Sequence, residues 1–298
     1  MEPFLQEEVR CGHTVSAEMK RVWAVQLDLL AQFSQVCEKH GLCYFLDGGT
    51  LLGAVRHSGF IPWDNDVDVI MPRADYDILC GIAPKVFQHP YFFQTALTEP
   101  GLFRTHAQLR NSTTTGYISA DKDLPINKGI FLDIFILDGL PASPALLRLH
   151  KQAVCLGRKF LWLAYNADYS HHSFFKRICL RMLHFLLSPI PFSSFFRFYD
   201  KKILAAYSRN HPKTVGDLTL GWHENVFWDA AWFSDYRYMT FEHLSLRVPI
   251  GYDAVLRRQY GNYQEIPSLE QRGQNQHGEV FLDPDRPYTF YFPAKETR

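Results

Sequence analysis

The chain has 298 residues, enough for one large domain or for a core with a substantial appendage. Hydrophobic residues make up 47% and charged residues 21%, which excludes a disordered chain; a chain this long also buries its own core without a disulfide or zinc staple. The 31 Lys and Arg balance 31 Asp and Glu, which argues against a broadly basic nucleic-acid binder.

Six cysteines, Cys11, Cys37, Cys43, Cys80, Cys155 and Cys179, form no C-x-x-C pair and no zinc-finger spacing with histidine. They read as reduced thiols of a cytoplasmic protein. The N-terminus, Met-Glu-Pro-Phe-Leu-Gln-Glu-Glu, is acidic and lacks an apolar signal core. No charge-free apolar run reaches about 18 residues, so no spanning helix is expected.

From Ser16 to His40 the apolar residues Met19, Val22, Trp23, Leu27, Leu30, Phe33 and Cys37 recur at helical spacing, with Ser16 as cap and Gly41 as terminator. A strand-like run, Cys43 to Leu46, leads into Asp47-Gly48-Gly49 and a short helix over Thr50 to Arg56. Asp66 to Met71 reads as a strand and Arg73 to Ala83 as a helix. Thr105 to Arg110 and Gly129 to Leu137 read as strands, the second apolar enough to be buried on both faces. This alternation predicts an α/β core, with a mixed sheet flanked by helices, over 1–140. A mainly helical extension over 141–298 is expected to pack on it. Its helices fall near 145–168, 174–187 and 195–209, followed by a strand-then-helix signal over 236–260 and an irregular tail from 265.

The chemistry concentrates in Asp47 to Met71, D-G-G-T-L-L-G-A-V-R-H-S-G-F-I-P-W-D-N-D-V-D-V-I-M. Gly48 and Gly49 stand between a strand and a helix, where bare backbone N–H groups can approach a phosphate at a helix N-terminus. Asp66 and Asp68, spaced i, i+2 on a strand, share a face, and Asp64 has the same parity. Either motif alone is commonly a turn or solvated surface. Val67, Val69 and Ile70 bury this strand, however, and buried acids need a partner. Hard carboxylate oxygens of this kind suit Mg2+, with Mn2+ as an alternative. Asp133, alone among apolar neighbours in G-I-F-L-D-I-F-I-L, is the natural third ligand; the other reading is a hydrogen-bonded backbone cap. Arg56, His57 and Arg73 lie near the motif. Arg104, His106, Gln108 and Arg110 alternate on one strand face, which either binds phosphate or cytosine or is merely exposed. Arg272 and His277 are candidates to close over the site from the tail.

The strand, G-G-T, short helix, D-x-D and later acid resemble the polymerase-beta type of nucleotidyltransferase fold. More closely, G-G-T-L-L-G-A-V-R-H-S-G-F-I-P-W-D-N-D-V-D-V-I-M-P-R, G-I-F-L-D-I-F-I-L-D-G from Gly129 and F-E-H-L-S-L-R-V-P-I-G-Y-D-A-V-L-R-R-Q-Y-G-N-Y from Phe241 resemble three blocks of the LicD family. This implies transfer of phosphocholine from CDP-choline, or another phospho-alcohol from its CDP-alcohol, to a cell-surface glycan or its lipid-linked precursor. It implies Asp66, Asp68 and Asp133 as metal ligands and catalytic residues, with Asp64 assisting. Gly48, Gly49 and Thr50 would form the phosphate loop, and Arg56, Arg104 and Arg110 would contact the donor. Asp133 or Asp64 is a candidate general base. Asn65, Ile136 and Asn262 depart from residues frequent in the family, and Asn262 puts an acidic role at its position in doubt.

Two other transfers remain open: of a nucleotide to a small molecule, and of sugar from a nucleotide-sugar through D-x-D. A binding module that merely retains the fold is disfavoured by the intact acids. Over Ser173 to Lys202, Lys176, Arg177, Arg181 and His184 interleave with apolar residues. The expectation is an amphipathic pair packed on the core; the alternative is contact with a membrane surface, where a lipid-linked acceptor would lie.

Overall fold

The structure, a computed structural model, describes residues 2–99, 102–165, 173–187, 189–209, 211–272 and 280–293. A small hairpin, β1 (Glu8–Arg10) and β2 (His13–Val15), precedes the helix α1 (Ala17–His40). The Ser16 hydroxyl accepts the Met19 N–H at 3.1 Å, and Gly41, at φ 64°, ends the helix as its sequence predicts. Then follow β3 (Phe45–Leu46), α2 (Gly48–His57), β4 (Asp68–Pro72), α3 (Arg73–Val86), β5 (Tyr91–Gln94), β6 (Ala107–Asn111), β7 (Thr115–Ile118) and β8 (Ile130–Leu140).

The helices α4 (Pro144–Tyr165), α5 (Phe174–Leu187) and α6 (Phe192–Phe198) come next, the last continued by irregular helical turns to Tyr207. The chain then returns to strands β9 (Thr214–Asp217) and β10 (Phe227–Asp229). The hairpin β11 (Tyr236–Phe241) and β12 (Leu244–Pro249) leads into α7 (Tyr252–Tyr260). The tail expected to be irregular instead contributes β13 (Val280–Asp283), antiparallel to β7, and the single turn α8 (Tyr288–Tyr291). Pairing with a strand 165 residues earlier, from Val280 opposite Ile118 to Asp283 opposite Thr115, is a tertiary constraint that local composition does not encode.

The fold is mixed α/β. Among the described residues its main sheet has seven strands built around β8. One edge of β8 is parallel to β4, which in turn holds the short β3 antiparallel. The other edge is shared: β6 pairs with the first half of β8, up to Ile134, and β9 with its last residues, from Leu137. β5 lies outside β6, and β10 outside β9. The sheet therefore forks on that edge, just past Asp133. Strands on either side of residue 140 belong to one sheet.

The apolar stripe of α1, with Trp23, Leu27, Leu30 and Phe33 fully buried, covers the sheet, and Trp23 stacks on Phe60 at 4.4 Å between centroids. A second apolar cluster joins Val154 and Leu161 of α4 to Phe196, Tyr199 and Leu204. All six cysteines are free.

At the far end of β4 and β8 lies a buried ion network. Arg73 forks onto Asp138 (Nε to Oδ1 2.7 Å, Nη2 to Oδ2 2.6 Å) and reaches Asp200 at 2.6 Å with Nη1. Ser208 donates to Asp138 at 3.0 Å. Arg73 is thus a structural clamp between the sheet and the turns after α6, not a residue of the Asp47–Met71 site. Removing one partner strands a charge where water cannot reach it. We expect Arg73→Met to lower stability by about 3–5 kcal/mol, read from denaturant unfolding, and Arg73→Met with Asp138→Leu to recover much of the loss. Equal losses in the single and double variants would remove the clamp from the argument.

Candidate active site

One row of polar residues crosses the sheet at a single level. Asp68 is the register partner of Asp133, Asp133 of Gln108, and Gln108 of Gln94, so β4, β8, β6 and β5 each contribute one member. Neighbouring strands lie about 4.8 Å apart, and register partners point to the same face. Asp47 extends the row, its N–H donating to the Asp68 carbonyl at 3.1 Å. The D-x-D pair is held differently from the reading above. β4 begins at Asp68, so Asp64 and Asp66 lie in the loop before it and owe their positions to that loop instead of strand alternation.

The loop is pinned from α1. Trp23 donates to the Asp64 carbonyl at 3.3 Å and Gln26 to the Asn65 carbonyl at 2.7 Å. Beneath it, the Thr50 hydroxyl accepts the Asp68 N–H at 2.8 Å. Gly48 opens α2 at φ 53°; a Cβ there would meet Asp68 Oδ2 at 3.1 Å, and one on Gly49 would collide with Asp64 Oδ2. The glycine pair thus brings the N-terminus of α2 against the carboxylates, an approach that a side chain would block.

Crowding shows in the electrostatics. Burial first, then the charges of Asp66, Asp133, Asp47 and Asp64, raise the Asp68 carboxyl well above the usual range. Burial, followed by the charge of Asp66 and a hydrogen bond to it, does the same to Asp64. Burial brings Asp47 to about 6, and Asp217 as well. Asp133 goes the other way. Its burial is outweighed by the hydrogen bond and charge of His106, the charge of Arg104 and a hydrogen bond from Gln108, which hold it below its ordinary value. His106 Nε2 lies 3.0 Å and Gln108 Nε2 2.6 Å from Asp133 Oδ1. The carbonyl of the Gln108 amide takes hydrogen bonds from Arg104 and Arg110.

A cavity of about 420 Å3 opens on this face. Gly48, Gly49, Asp66, Asp68, Arg104 and Asp133 all line it. Thr50 lies beneath, and Asp64 lies behind Gly49. Two expected donor contacts lie elsewhere. Arg110 is wholly buried and spends its guanidinium on Gln94, Gln108 and the carbonyls of Gly116 and Gly129; burial and the charge of Arg104 pull its pKa to about 9. Strand alternation put it on the right face, but the sheet interior claims it before any ligand can. Arg56 ties the chain after α7, donating to the carbonyls of Tyr263 at 2.8 Å and Glu265 at 3.1 Å. Arg272 stacks over Trp63 at 4.4 Å and bonds the Cys11 carbonyl, and His277 lies outside the described residues.

Sequence reasoning missed Asp47, Asp217, Gln259 and Tyr260 on the cavity wall. The Tyr260 hydroxyl sits over Gly48, its pKa raised by burial and by Asp47 and Asp68. Tyr260 had a signal, as it lies within the C-terminal block F-E-H to G-N-Y. Gln26 had one too, as a polar residue inside the apolar stripe of α1.

The donor set is all oxygen, half-buried and mutually repelling, which suits a hard divalent cation such as Mg2+ or Mn2+. Asp66, Asp68 and Asp133 would hold it, with Asp64 adjacent. Among the described residues no three His, Cys, Asp or Glu side chains are already drawn together tightly enough to grip an ion. The carboxyls therefore stand near one another without forming a closed chelate.

A mixed sheet, a glycine-headed helix after a short strand, and clustered acids at the sheet end make up the part of the chain that resembles a known family. Residues 41–92 match the family described as LicD/FKTN/FKRP, nucleotidyltransferase domain. The chain is 28% identical over 275 residues to the lipopolysaccharide cholinephosphotransferase LicD of Haemophilus influenzae, a match covering 87% of this chain and 96% of that protein. Over 34 residues it is 59% identical to the ribitol 5-phosphate transferases FKRP of Homo sapiens and Mus musculus, a segment that is 11% of this chain and 7% of theirs. The resemblance to the LicD family holds.

If repulsion between the acids is relieved by a cation, Mg2+ or Mn2+ added to the purified protein should raise its melting temperature. A hundredfold excess over Kd corresponds to about 2.7 kcal/mol. Asp68→Asn should melt higher than the parent in chelator and lose the metal increment. An identical increment in both proteins would show that the ion binds elsewhere.

Proposed function

We propose that this chain is a phosphotransferase that moves phosphocholine, or another phospho-alcohol, from a CDP-alcohol to a hydroxyl of a cell-surface glycan or of its lipid-linked precursor. The observation that carries the reading is the row Asp68–Asp133–Gln108 beside the glycine-headed α2, of which Asp68 and α2 fall within the segment that matches the nucleotidyltransferase family. The relatives named above support the reaction class: one is named a cholinephosphotransferase and the others ribitol 5-phosphate transferases.

The chemistry follows from charge. Bound by Asp66, Asp68 and Asp133, Mg2+ would neutralise pyrophosphate oxygens and ease departure of CMP. Gly48 and Gly49 present the start of α2 to the phosphates without intervening side chains. Arg104, held by Asp121 at 2.6 Å, adds a fixed cation on the opposite wall. His106 and Gln108 hold the Asp133 carboxylate in one orientation and keep it ionised. The acceptor hydroxyl attacks the phosphorus that carries the alcohol, opening the P–O bond to CMP and passing its proton to Asp133 or Asp64, the candidate bases. Such catalysis rests on positioning and preorganised electrostatics.

A second, larger cavity of about 820 Å3 shares Arg104 and His106 with the first and runs past Tyr91 and Phe93 to Phe196 and Arg197. Its aromatic lining and its junction with the acid cluster suit the acceptor.

The test is a donor panel with Mg2+, read by phosphorus NMR. CMP release from CDP-choline or another CDP-alcohol supports the proposal. Pyrophosphate release from CTP would mean nucleotidyl transfer, and UDP release from a UDP-sugar would mean glycosyl transfer. Asp66→Asn and Asp68→Asn should each lower turnover by about 10²–10³-fold or more with an unchanged circular dichroism spectrum. Full activity in either variant would end the assignment of these acids.

A further inference from the structure

The helix α5 contradicts the packing expected of it. None of its residues is buried. Only Arg177, Leu180, His184 and Leu187 are half-covered, and these recur at helical spacing on the side toward α4, where His184 Nδ1 lies 3.4 Å from the Leu163 carbonyl. The remaining face is apolar and open: Phe174, Phe175, Ile178, Met182, Phe185 and Leu186 are 42% to 79% exposed. At about 100° per residue these six form one contiguous stripe, with Lys176 beyond one edge and Arg181 beyond the other. Scattered apolar side chains on a surface need no explanation, but a continuous stripe with cations at both borders does.

Charge says what covers it. Residues 141–199 contain eight Lys and Arg and a single acid, Asp168, in a chain whose charges balance overall. The rest of the protein is therefore net acidic, and its positive charge is concentrated where its apolar surface is exposed. A second acidic protein surface would not need six exposed hydrophobes, and a second copy of this chain would bring like charges together. We infer that α5 lies flat on an anionic lipid bilayer, its apolar stripe immersed at the headgroup boundary and its Lys and Arg heads turned up to the phosphates.

The helix lies on the bilayer instead of crossing it. Its 14 residues reach about 21 Å, short of the roughly 30 Å hydrocarbon core. No single helix among the described residues is long and apolar enough to span. Together α5 and Phe192–Tyr207 have a suitable composition, but they meet at 91°. Phe196, Tyr199 and Leu204 of the second piece are already buried against α4.

This inference stands apart from the proposed transfer, because its test reads no turnover. The full chain is floated with vesicles of phosphatidylcholine alone and with about 30 mol% phosphatidylglycerol added. Binding is expected only to the anionic vesicles, reduced at least tenfold by Phe175→Ser/Phe185→Ser/Leu186→Ser and at least threefold by Lys176→Gln/Arg181→Gln. Circular dichroism and melting temperature should be unchanged, because all five side chains are exposed. Absence of binding, equal binding to both vesicles, or unchanged binding of the triple variant would overturn it. So would sedimentation showing a dimer that the triple substitution dissociates without any vesicle binding.

Discussion

Five carboxyl groups, on Asp47, Asp64, Asp66, Asp68 and Asp133, are crowded at one end of the sheet, and their mutual repulsion is the force around which the core is arranged. At the effective dielectric near a protein surface, two like charges about 4 Å apart repel by about 4 kcal/mol. Nothing in local backbone preference would bring these groups together. They are held by elements whose stability comes from elsewhere: the β4–β8 pairing, the stripe of α1 and the buried Leu51, Leu52 and Ala54 of α2. Trp23 and Gln26 tie the acid loop from a helix that contributes no residue to the cavity wall. Destabilising polar arrangements that a fold maintains with rigid supports are the usual mark of a functional site.

The acids are not treated alike. Asp133 is kept ionised by His106 and Gln108, while Asp64 and Asp68 are driven toward protonation by burial and by the charge of Asp66. The site thus combines one anchored carboxylate with others disposed toward protonation. The fork of the sheet accounts for the space it enters. β8 keeps β4 along one edge but passes from β6 to β9 along the other, and where the two part, the side chains of His106 and Asp217 reach the cavity. A continuous sheet would have filled that gap with a paired strand.

Much of this was legible from residues. Period-3.6 spacing and the Ser16 and Gly41 caps located α1; the apolar run around Asp133 predicted a buried strand, and Gly48–Gly49 predicted a helix start. Those signals are local, and local propensity decided them. What escaped was set by long-range partners. Arg110 alternates correctly on β6, but alternation cannot say whether a face meets solvent or the neighbouring carbonyls of Gly116 and Gly129. Arg56 lies beside the motif in sequence, yet its partners are some 200 residues away at Tyr263 and Glu265. The register that sets Gln108 against Asp133 exists only once β6 and β8 have paired.

The same distinction separates α5 from its neighbours. Amphipathic periodicity states that a helix has an apolar face; it does not state what that face meets. In α4 and α6 the apolar residues find each other, with Val154 and Leu161 against Phe196 and Tyr199. In α5 the phenylalanines are turned outward and only a narrow strip touches α4. Were this helix an ordinary buttress, rotating it by half a turn would bury Phe174, Phe185 and Ile178 and release Arg177 and His184 to water. The hydrophobic effect favours that rotation by about 25 cal/mol per Å2 of apolar surface covered. An orientation that forgoes it in water becomes the favourable one when the solvent on that side is lipid.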